Sequence, residues 1–186
     1  MNLKHRIIAL ATAAAIALPA IAVAKHKMHG GKKHTPMAFF KAKINAGGSI
    51  DGKTADITLS DDDTNIVVKV DMGRVNTGMD LRNKHFQEKL LKSKKASAVL
   101  TVKKAAVTGK KGEASGTLAM NGVTKDVKVK YEKFTGEDKE DSDLVRVTGS
   151  TNIKYTEFGF EKMCYLGVCV DDPVEISAEL FVKDEK

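Results

Sequence analysis

The chain has 186 residues, of which 42% are hydrophobic and 30% charged, and its formal net charge is +7 at pH 7. This length suffices for one domain with its own core. Aromatic residues make up only 5%, and no basic-aromatic recognition pattern accompanies the positive charge, which argues against a nucleic-acid-binding protein.

Residues 1–24 have the pattern of a secretory signal peptide. Lys4 and Arg6 precede an apolar run over 7–21, and Ala22-Val23-Ala24 supplies a small-x-small cleavage site. A transmembrane anchor is the weaker interpretation, because the run is short for a bilayer. Cleavage would leave a net charge of +5, which suits solubility or contact with anionic surfaces. We therefore expect a periplasmic or secreted protein with no transmembrane segment after cleavage.

Residues 25–37 form a basic, Gly-punctuated stretch with no apolar period, which predicts a flexible tail before a domain at 38–184. Its histidines, His26, His29 and His34, are weak candidates for binding Cu or Ni. A solvated tail is the preferred interpretation, since no carboxylate or cysteine joins them.

From residue 38 onward the dominant period is two, which is typical of half-buried antiparallel strands. We predict eight strands, within FFKAKINA, TADITLS, NIVVKVDM, ASAVLTVKK, EASGTLAM, VTKDVKVKYEK, DLVRVTGSTNIKY and PVEISAELFV. Asn121-Gly122 is a strong signal for a two-residue hairpin turn. Eight two-faced strands in mostly up-and-down order close their edges most simply as an all-β, antiparallel, lipocalin-like barrel.

Small residues are frequent among the predicted inward positions. A barrel of this size is either filled by its own side chains or holds one small ligand. Small inward residues favour unfilled apolar volume and hence a ligand cavity, although a taper at one end would have the same composition. The inward small residues are Ala42, Ala55, Ala98, Ala114, Gly116 and Ala178.

The stretch NTGMDLRNKHFQEKLL, residues 76–91, interrupts the strands and predicts a short helix. Asp80 is a suitable N-cap, and Phe86 and Leu90 share one helix face. Catalysis by Arg82 and His85 is the alternative, but spacing fixes no nucleophile or carboxylate beside them. We therefore expect the helix to pack across one open end of the barrel.

Residues 157–170, EFGFEKMCYLGVCV, are too apolar for an ordinary exposed loop. We expect Phe158, Phe160, Met163, Leu166 and Val168 to cover the same barrel end as the helix. They would either contact a ligand or plug the barrel. Cys164 and Cys169 are an even, close pair in an exported chain, which predicts a disulfide within this loop.

Three motifs in order resemble the YceI family of exported lipocalin-like proteins, and the resemblance covers roughly residues 39–182. The matching residues are Thr77-Gly78 with Arg82-Asn83 and His85-Phe86; Gly116, Leu118, Gly122, Val123, Thr124, Lys125 and Val127; and Glu157-Phe158-Gly159. Departures also occur. Asn83 replaces the family's usual Asp, Tyr155 stands where Arg is usual, and no Trp marks the first strand.

The resemblance implies an apolar tunnel for a polyisoprenoid or another long-chain amphiphile, such as an isoprenoid quinone or a fatty acid or amide. It implies no catalytic machinery. We also expect no metal, no cofactor beyond such a bound lipid, and a monomer or homodimer. An interaction or metal-handling protein acting through the His-rich tail is the alternative function. The predicted cavity and mouth residues are Phe40, Phe86, Leu90, Leu100, Leu118, Met120, Phe158, Phe160 and Met163.

Overall fold

The structure, a computed structural model, describes residues 34–92, 96–135 and 144–183. A six-residue α-helix, α1 (Asp80–His85), continues into a π-helical turn (Phe86–Leu90), and we call the two together the helical segment. The strands within the described ranges are β1 (Met37–Lys43), β2 (Ser49–Thr54), β3 (Ile57–Asp61), β4 (Asn65–Asp71), β5 (Ser97–Lys103), β6 (Lys111–Met120), β7 (Val123–Thr135), β8 (Leu144–Ile153), β9 (Cys164–Tyr165), β10 (Val168–Cys169) and β11 (Val174–Lys183).

Nine strands form one antiparallel sheet in the order β2-β1-β11-β8-β7-β6-β5-β4-β3, and β9 pairs with β10 alone. The two edge strands, β2 and β3, are consecutive in the chain and only Ala55 and Asp56 separate them. The sheet therefore curls into a nearly closed barrel. Lys53 of β2 and Asn76, which follows β4, are joined by reciprocal backbone hydrogen bonds of 2.9 and 2.8 Å. The predicted all-β, lipocalin-like barrel with a short helix is confirmed.

The strand count is nine in this sheet, not the predicted eight, because β2 was missed. Its inward positions are Ile50, Gly52 and Thr54, and only the first has a large apolar side chain. Ala55, predicted to point inward, is exposed in the bend that links β2 to β3. The predicted Asn121-Gly122 hairpin is present, since both residues adopt positive φ values (49° and 77°) between β6 and β7.

One end of the barrel is closed by its own side chains. Val102, Ala114 and Tyr131 form a buried cluster there, with Val107 packed against it. The Tyr131 hydroxyl donates a hydrogen bond to the Thr108 carbonyl, so the polar tip of this buried ring is satisfied. The helical segment and the residues after β8 lie at the opposite end, which we call the helix end.

Candidate functional site

The barrel encloses an apolar cavity of about 290 Å³. This volume lies near the lower limit of about 300–1,000 Å³ for small-molecule sites. Among the described lining residues, the titratable side chains are Arg82, Tyr131 and Tyr155. The lining therefore offers burial for hydrocarbon and few groups for proton transfer.

The cavity is long and narrow. Four successive inward residues of β11, from Val174 to Leu180, all line it, as do four on β8, from Val147 to Ile153. At about 3.4 Å per residue, either run spans about 20 Å along its strand. A cavity with this length and volume suits an extended chain better than a compact ligand.

Small residues on neighbouring strands make the space. The strand register aligns Thr54, Ala38, Ala178 and Gly149 in one row across β2, β1, β11 and β8. All four line the cavity. Their side chains reach a short distance from the wall, so the row leaves volume that larger residues would fill.

Larger side chains form the opposite wall. Val68, Leu100 and Leu118 are register partners on β4, β5 and β6, and all three line the cavity. Met120, two residues beyond Leu118, continues this wall toward the helix end and is buried. The cavity therefore runs beside the small-residue row, opposite a wall of branched and unbranched aliphatic chains.

The helical segment contributes to the helix end of the cavity. Phe86 and Leu90 line it, as the sequence predicted, and Leu91 is buried beside them. The Phe86 ring stacks on that of Phe40 from β1, with 5.9 Å between centroids and 9° between planes. This stack ties the helical segment to the barrel wall.

Polar contacts fasten the start of the helical segment. The Thr77 backbone N–H and hydroxyl donate to Asn83 Oδ1 at 2.8 and 2.7 Å, and Asn83 Nδ2 donates to Asn76 Oδ1 at 3.2 Å. The predicted Asp80 N-cap is wrong: Met79 is the N-cap and forms no side-chain capping bond, while Asp80 lies in the first turn. The side chain that fastens this end is therefore Asn83, from inside the helix.

Arg82 and His85, the two residues considered for catalysis, have different surroundings. Arg82 lines the cavity, with Nη2 3.9 Å from Met79 Sδ. His85 does not line it, and its ring lies 5.7 Å from the ring of Tyr165 on the outside of the helical segment. The stretch that contains both residues therefore forms part of the barrel rim.

Tyr155 organises the segment after β8. Its hydroxyl accepts a hydrogen bond from the Met163 N–H at 3.1 Å and donates to the Val170 carbonyl at 3.4 Å. Burial raises the pKa of Tyr155 above its ordinary value of 10.0, so the hydroxyl stays protonated as a donor. Phe160 and Met163 then line the cavity from this segment.

The second and third motifs of the resemblance meet at this end. Lys125 Nζ lies 3.1 Å from Glu157 Oε2, and it holds the pKa of that carboxyl below its ordinary range. Asn121 Nδ2 donates to the Phe158 carbonyl at 3.1 Å. These contacts fasten the turn Tyr155–Phe158 to the β6–β7 hairpin. The motif residues therefore build the barrel end.

The predicted disulfide between Cys164 and Cys169 is confirmed. It closes the two-stranded hairpin of β9 and β10, residues 164–169, which we call the cystine hairpin. Leu166, predicted to cover the barrel end, instead lies at the hairpin turn with 88% of its surface exposed, and Val168 is also exposed. Both side chains project away from the cavity because the hairpin extends outward from the rim.

Eight of the nine predicted cavity and mouth residues line the cavity, namely Phe40, Phe86, Leu90, Leu100, Leu118, Met120, Phe160 and Met163. Phe158 does not line it. This residue is 2% exposed and packs behind the lining, within the core cluster of the helix end.

Several lining residues escaped the sequence analysis, including Ala38, Gly149 and Thr151. An isolated glycine inside an alternating strand marks a close approach or a missing side chain. Gly149 carried that signal within DLVRVTGSTNIKY. Ala38 and Thr151 carried none, because neither residue type distinguishes a cavity wall from an exposed face.

Of the three metal-binding candidates, His26 and His29 lie outside the described residues. The His34 ring is 4.8 Å from that of Phe181, and His34 does not line the cavity. In residues 34–92, 96–135 and 144–183, no three His, Cys, Asp or Glu side chains converge as a metal site. No helix within the same ranges has both the length and the apolar character required to cross a bilayer.

The fold and the cavity define a lipocalin-like barrel with an apolar interior. The model of the YceI-like domain family matches residues 28–182, and the chain belongs to this family. The resemblance identified from the three motifs is thereby confirmed. No curated protein matches the chain.

Solved structures share the fold at low sequence identity. A polyisoprenoid-binding domain from Saccharophagus degradans is 14% identical, with 80% of this chain and 94% of that one covered at a TM-score of 0.56. Burkholderia cenocepacia BcnA is 16% identical, with coverage of 80% and 96% and a TM-score of 0.62. A mutant of the Campylobacter jejuni YceI protein is 19% identical, with coverage of 98% and 100% and a TM-score of 0.52.

Proposed function

We propose that this protein binds the hydrocarbon chain of a long-chain amphiphile inside its barrel and acts as a carrier or buffer for it. The observation that carries the proposal is the apolar cavity of about 290 Å³, which extends along β8 and β11. Chain burial stabilises such a complex by about 25 cal/mol per Å² of apolar surface, with few polar contacts required. A polyisoprenoid, an isoprenoid quinone and a fatty acid or amide all have the required chain.

The related domain from Saccharophagus degradans supports the polyisoprenoid in particular, since it is described as binding that class of lipid. Arg82 supports an amphiphile with a polar or acidic headgroup, because it is the one charged side chain among the described lining residues. An amphiphile whose hydrocarbon chain fills the barrel and whose headgroup lies near Arg82 would use both the apolar cavity and this charge. Tyr131 and Tyr155 form structural hydrogen bonds, which supports binding without catalysis.

The proposed setting is the periplasm. The signal-peptide pattern of residues 1–24 motivates this proposal, together with a disulfide of the kind that persists in oxidising compartments. A water-insoluble chain needs a soluble carrier to cross an aqueous space, which an apolar barrel provides. The intact mass of the exported protein tests the predicted start at Lys25.

Ala178→Leu tests chain binding directly, because it adds a branched side chain to the small-residue row. We expect this variant to fold and to lose most of its affinity for a fluorescent long-chain fatty acid. Ala119→Leu is the matched control, since Ala119 lies on β6 between the inward residues Leu118 and Met120 and does not line the cavity. The control should bind the fatty acid as the wild type does.

Equal fatty-acid affinity of Ala178→Leu and wild type would contradict binding inside the barrel. Deletion of residues 25–36 separates this function from the alternative at the His-rich tail. A carrier keeps its affinity for the chain after the deletion. A protein that works through its tail loses its partner.

A further inference from the structure

The cystine hairpin holds apolar side chains at an exposed apex. Tyr165 is 59% exposed, Leu166 88% and Val168 39%. Leu166 also adopts a φ of +48°, in the left-handed region where Asn, Asp or Gly is usual at a hairpin turn. A leucine here has a backbone cost and gains no burial. A function that uses its apolar side chain would account for both observations.

Contacts on both sides of the turn hold the hairpin in place. The disulfide joins its two strands, and the Asn45 side chain bonds to the turn and to the second strand. Asn45 Nδ2 donates to the Gly167 carbonyl at 3.2 Å, and Asn45 Oδ1 accepts from the Cys169 N–H at 2.9 Å. In the hairpin held by these contacts, the Leu166 side chain is left almost fully exposed.

Basic side chains of the helical segment adjoin the hairpin. Lys89 Nζ lies 5.5 Å from the Tyr165 ring centroid, and the His85 ring lies 5.7 Å from it. Leu81, four residues before His85 on the same helix face, is also exposed. Residues 80–92 contain two acidic residues, Asp80 and Glu88, and four basic ones, Arg82, Lys84, Lys89 and Lys92.

The same surface lies next to the cavity. Met163 and Val170, which flank the cystine hairpin in the chain, both line the cavity, and the Val170 N–H donates to the Met163 carbonyl at 2.9 Å. Phe86 and Leu90 line it from the helical segment. The cystine hairpin and the helical segment therefore both adjoin the helix end of the cavity.

We propose that the cystine hairpin and the adjoining helix face of Leu81, His85 and Lys89 dock on an anionic lipid bilayer. Tyr165 and Leu166 enter the interfacial region, and the basic side chains contact the lipid headgroups. A protein partner would need about 800 Å² of complementary surface on each side, more than a few apex side chains supply. A bilayer needs no shape complementarity. The inference rests on the proposed lipid binding, since docking would place the cavity where its ligand is stored.

Vesicle sedimentation tests the docking surface. We expect lipid-free mature protein to sediment with vesicles of phosphatidylglycerol and phosphatidylcholine, more weakly with phosphatidylcholine alone and more weakly at high salt. Leu166→Asn should lower binding by about tenfold or more, because the apolar side chain is lost. Asparagine tolerates the left-handed turn, so the hairpin should stay folded. Lys89→Gln should lower binding about fivefold at low salt.

A single tryptophan reports insertion, since the chain contains no Trp. The emission of Leu166→Trp should shift to shorter wavelength when anionic vesicles are added. Thr117→Trp is the matched control, because Thr117 is an exposed residue on β6 that does not line the cavity. Its emission should not change.

Three results would overturn the docking surface. The first is that Leu166→Asn sediments with vesicles as the wild type does. The second is that the emission of Leu166→Trp does not shift when anionic vesicles are added. The third is that the protein self-associates through Leu166, which would account for the exposed apex. Fatty-acid binding without vesicles separates this inference from the proposed function, and Leu166→Asn should bind as the wild type does. Vesicle binding by a wild type that binds no fatty acid would contradict the proposed function and leave the docking surface standing.

Discussion

At the scale of single residues, the helix end depends on close packing between Phe40 and Gly52. The two residues are direct partners across β1 and β2. A Cβ atom added at Gly52 would overlap the Phe40 ring, so the ring occupies the place of the missing side chain. The same ring stacks on Phe86. One absent methyl group thus allows an aromatic contact between the wall and the helical segment.

Gly52→Ala should therefore destabilise the protein by about 1–3 kcal/mol, the usual cost of overpacking. Gly149→Ala is the matched control, because an added Cβ there has Val129 Cγ1 as its nearest neighbour, at an ordinary 3.4 Å. Gly149→Ala should leave stability unchanged or raise it by about 0.4–1 kcal/mol, because alanine lowers the conformational entropy of the unfolded chain. Urea unfolding measures both values. Equal stability of the two variants would contradict the packing described at Gly52.

At the scale of elements, the β6–β7 hairpin and the turn Tyr155–Phe158 act as one unit. The Lys125–Glu157 ion pair and the Asn121 hydrogen bond to Phe158 connect them. Phe158 is buried in the core cluster, and Phe160 follows it into the cavity lining. A surface ion pair contributes little stability by itself, so its role here is to orient the turn that presents Phe160.

Lys125→Met should raise the pKa of Glu157 toward its ordinary value of 4.5, because Lys125 is the main cause of the lowered pKa. In the wild type, the stabilising contribution of this carboxylate is present above pH 4.5 and is lost as pH falls through the lower folded-state pKa. NMR titration of the Glu157 side chain measures the change. The pKa of Asp62, about 2 because Thr64 and Asn65 N–H groups bond to it, should not move. An unchanged Glu157 pKa would contradict the contact.

At the scale of the whole molecule, period-two alternation was enough to predict the barrel, since each two-faced strand needs a partner on both edges. The small-residue row of the cavity wall was predicted only in part. Ala178 lies in a clear apolar alternation. The inward positions of β2 are Ile50, Gly52 and Thr54, and only the first has a large apolar side chain. Sequence spacing also cannot give the register that aligns residues from four strands.

Residues 157–170 show a second limit of sequence reasoning. Their apolar side chains were expected to cover the barrel end, and Phe160 and Met163 do line the cavity. Leu166 is instead exposed, because the Leu166-Gly167 turn, with φ values of +48° and +81°, reverses the chain outside the rim. Composition alone does not separate a residue that covers a core from one that projects into solvent.

Native mass spectrometry of the purified protein tests the central claim most directly. The account predicts that the wild type carries one long-chain amphiphile per barrel, and that Phe160→Glu carries none, because a charge beside a hydrocarbon chain is costly to desolvate. Phe160→Leu, with an unchanged circular dichroism spectrum, should keep the lipid. A wild type that neither co-purifies with nor accepts a long-chain lipid, or a Phe160→Glu variant with a full complement of it, would contradict the account.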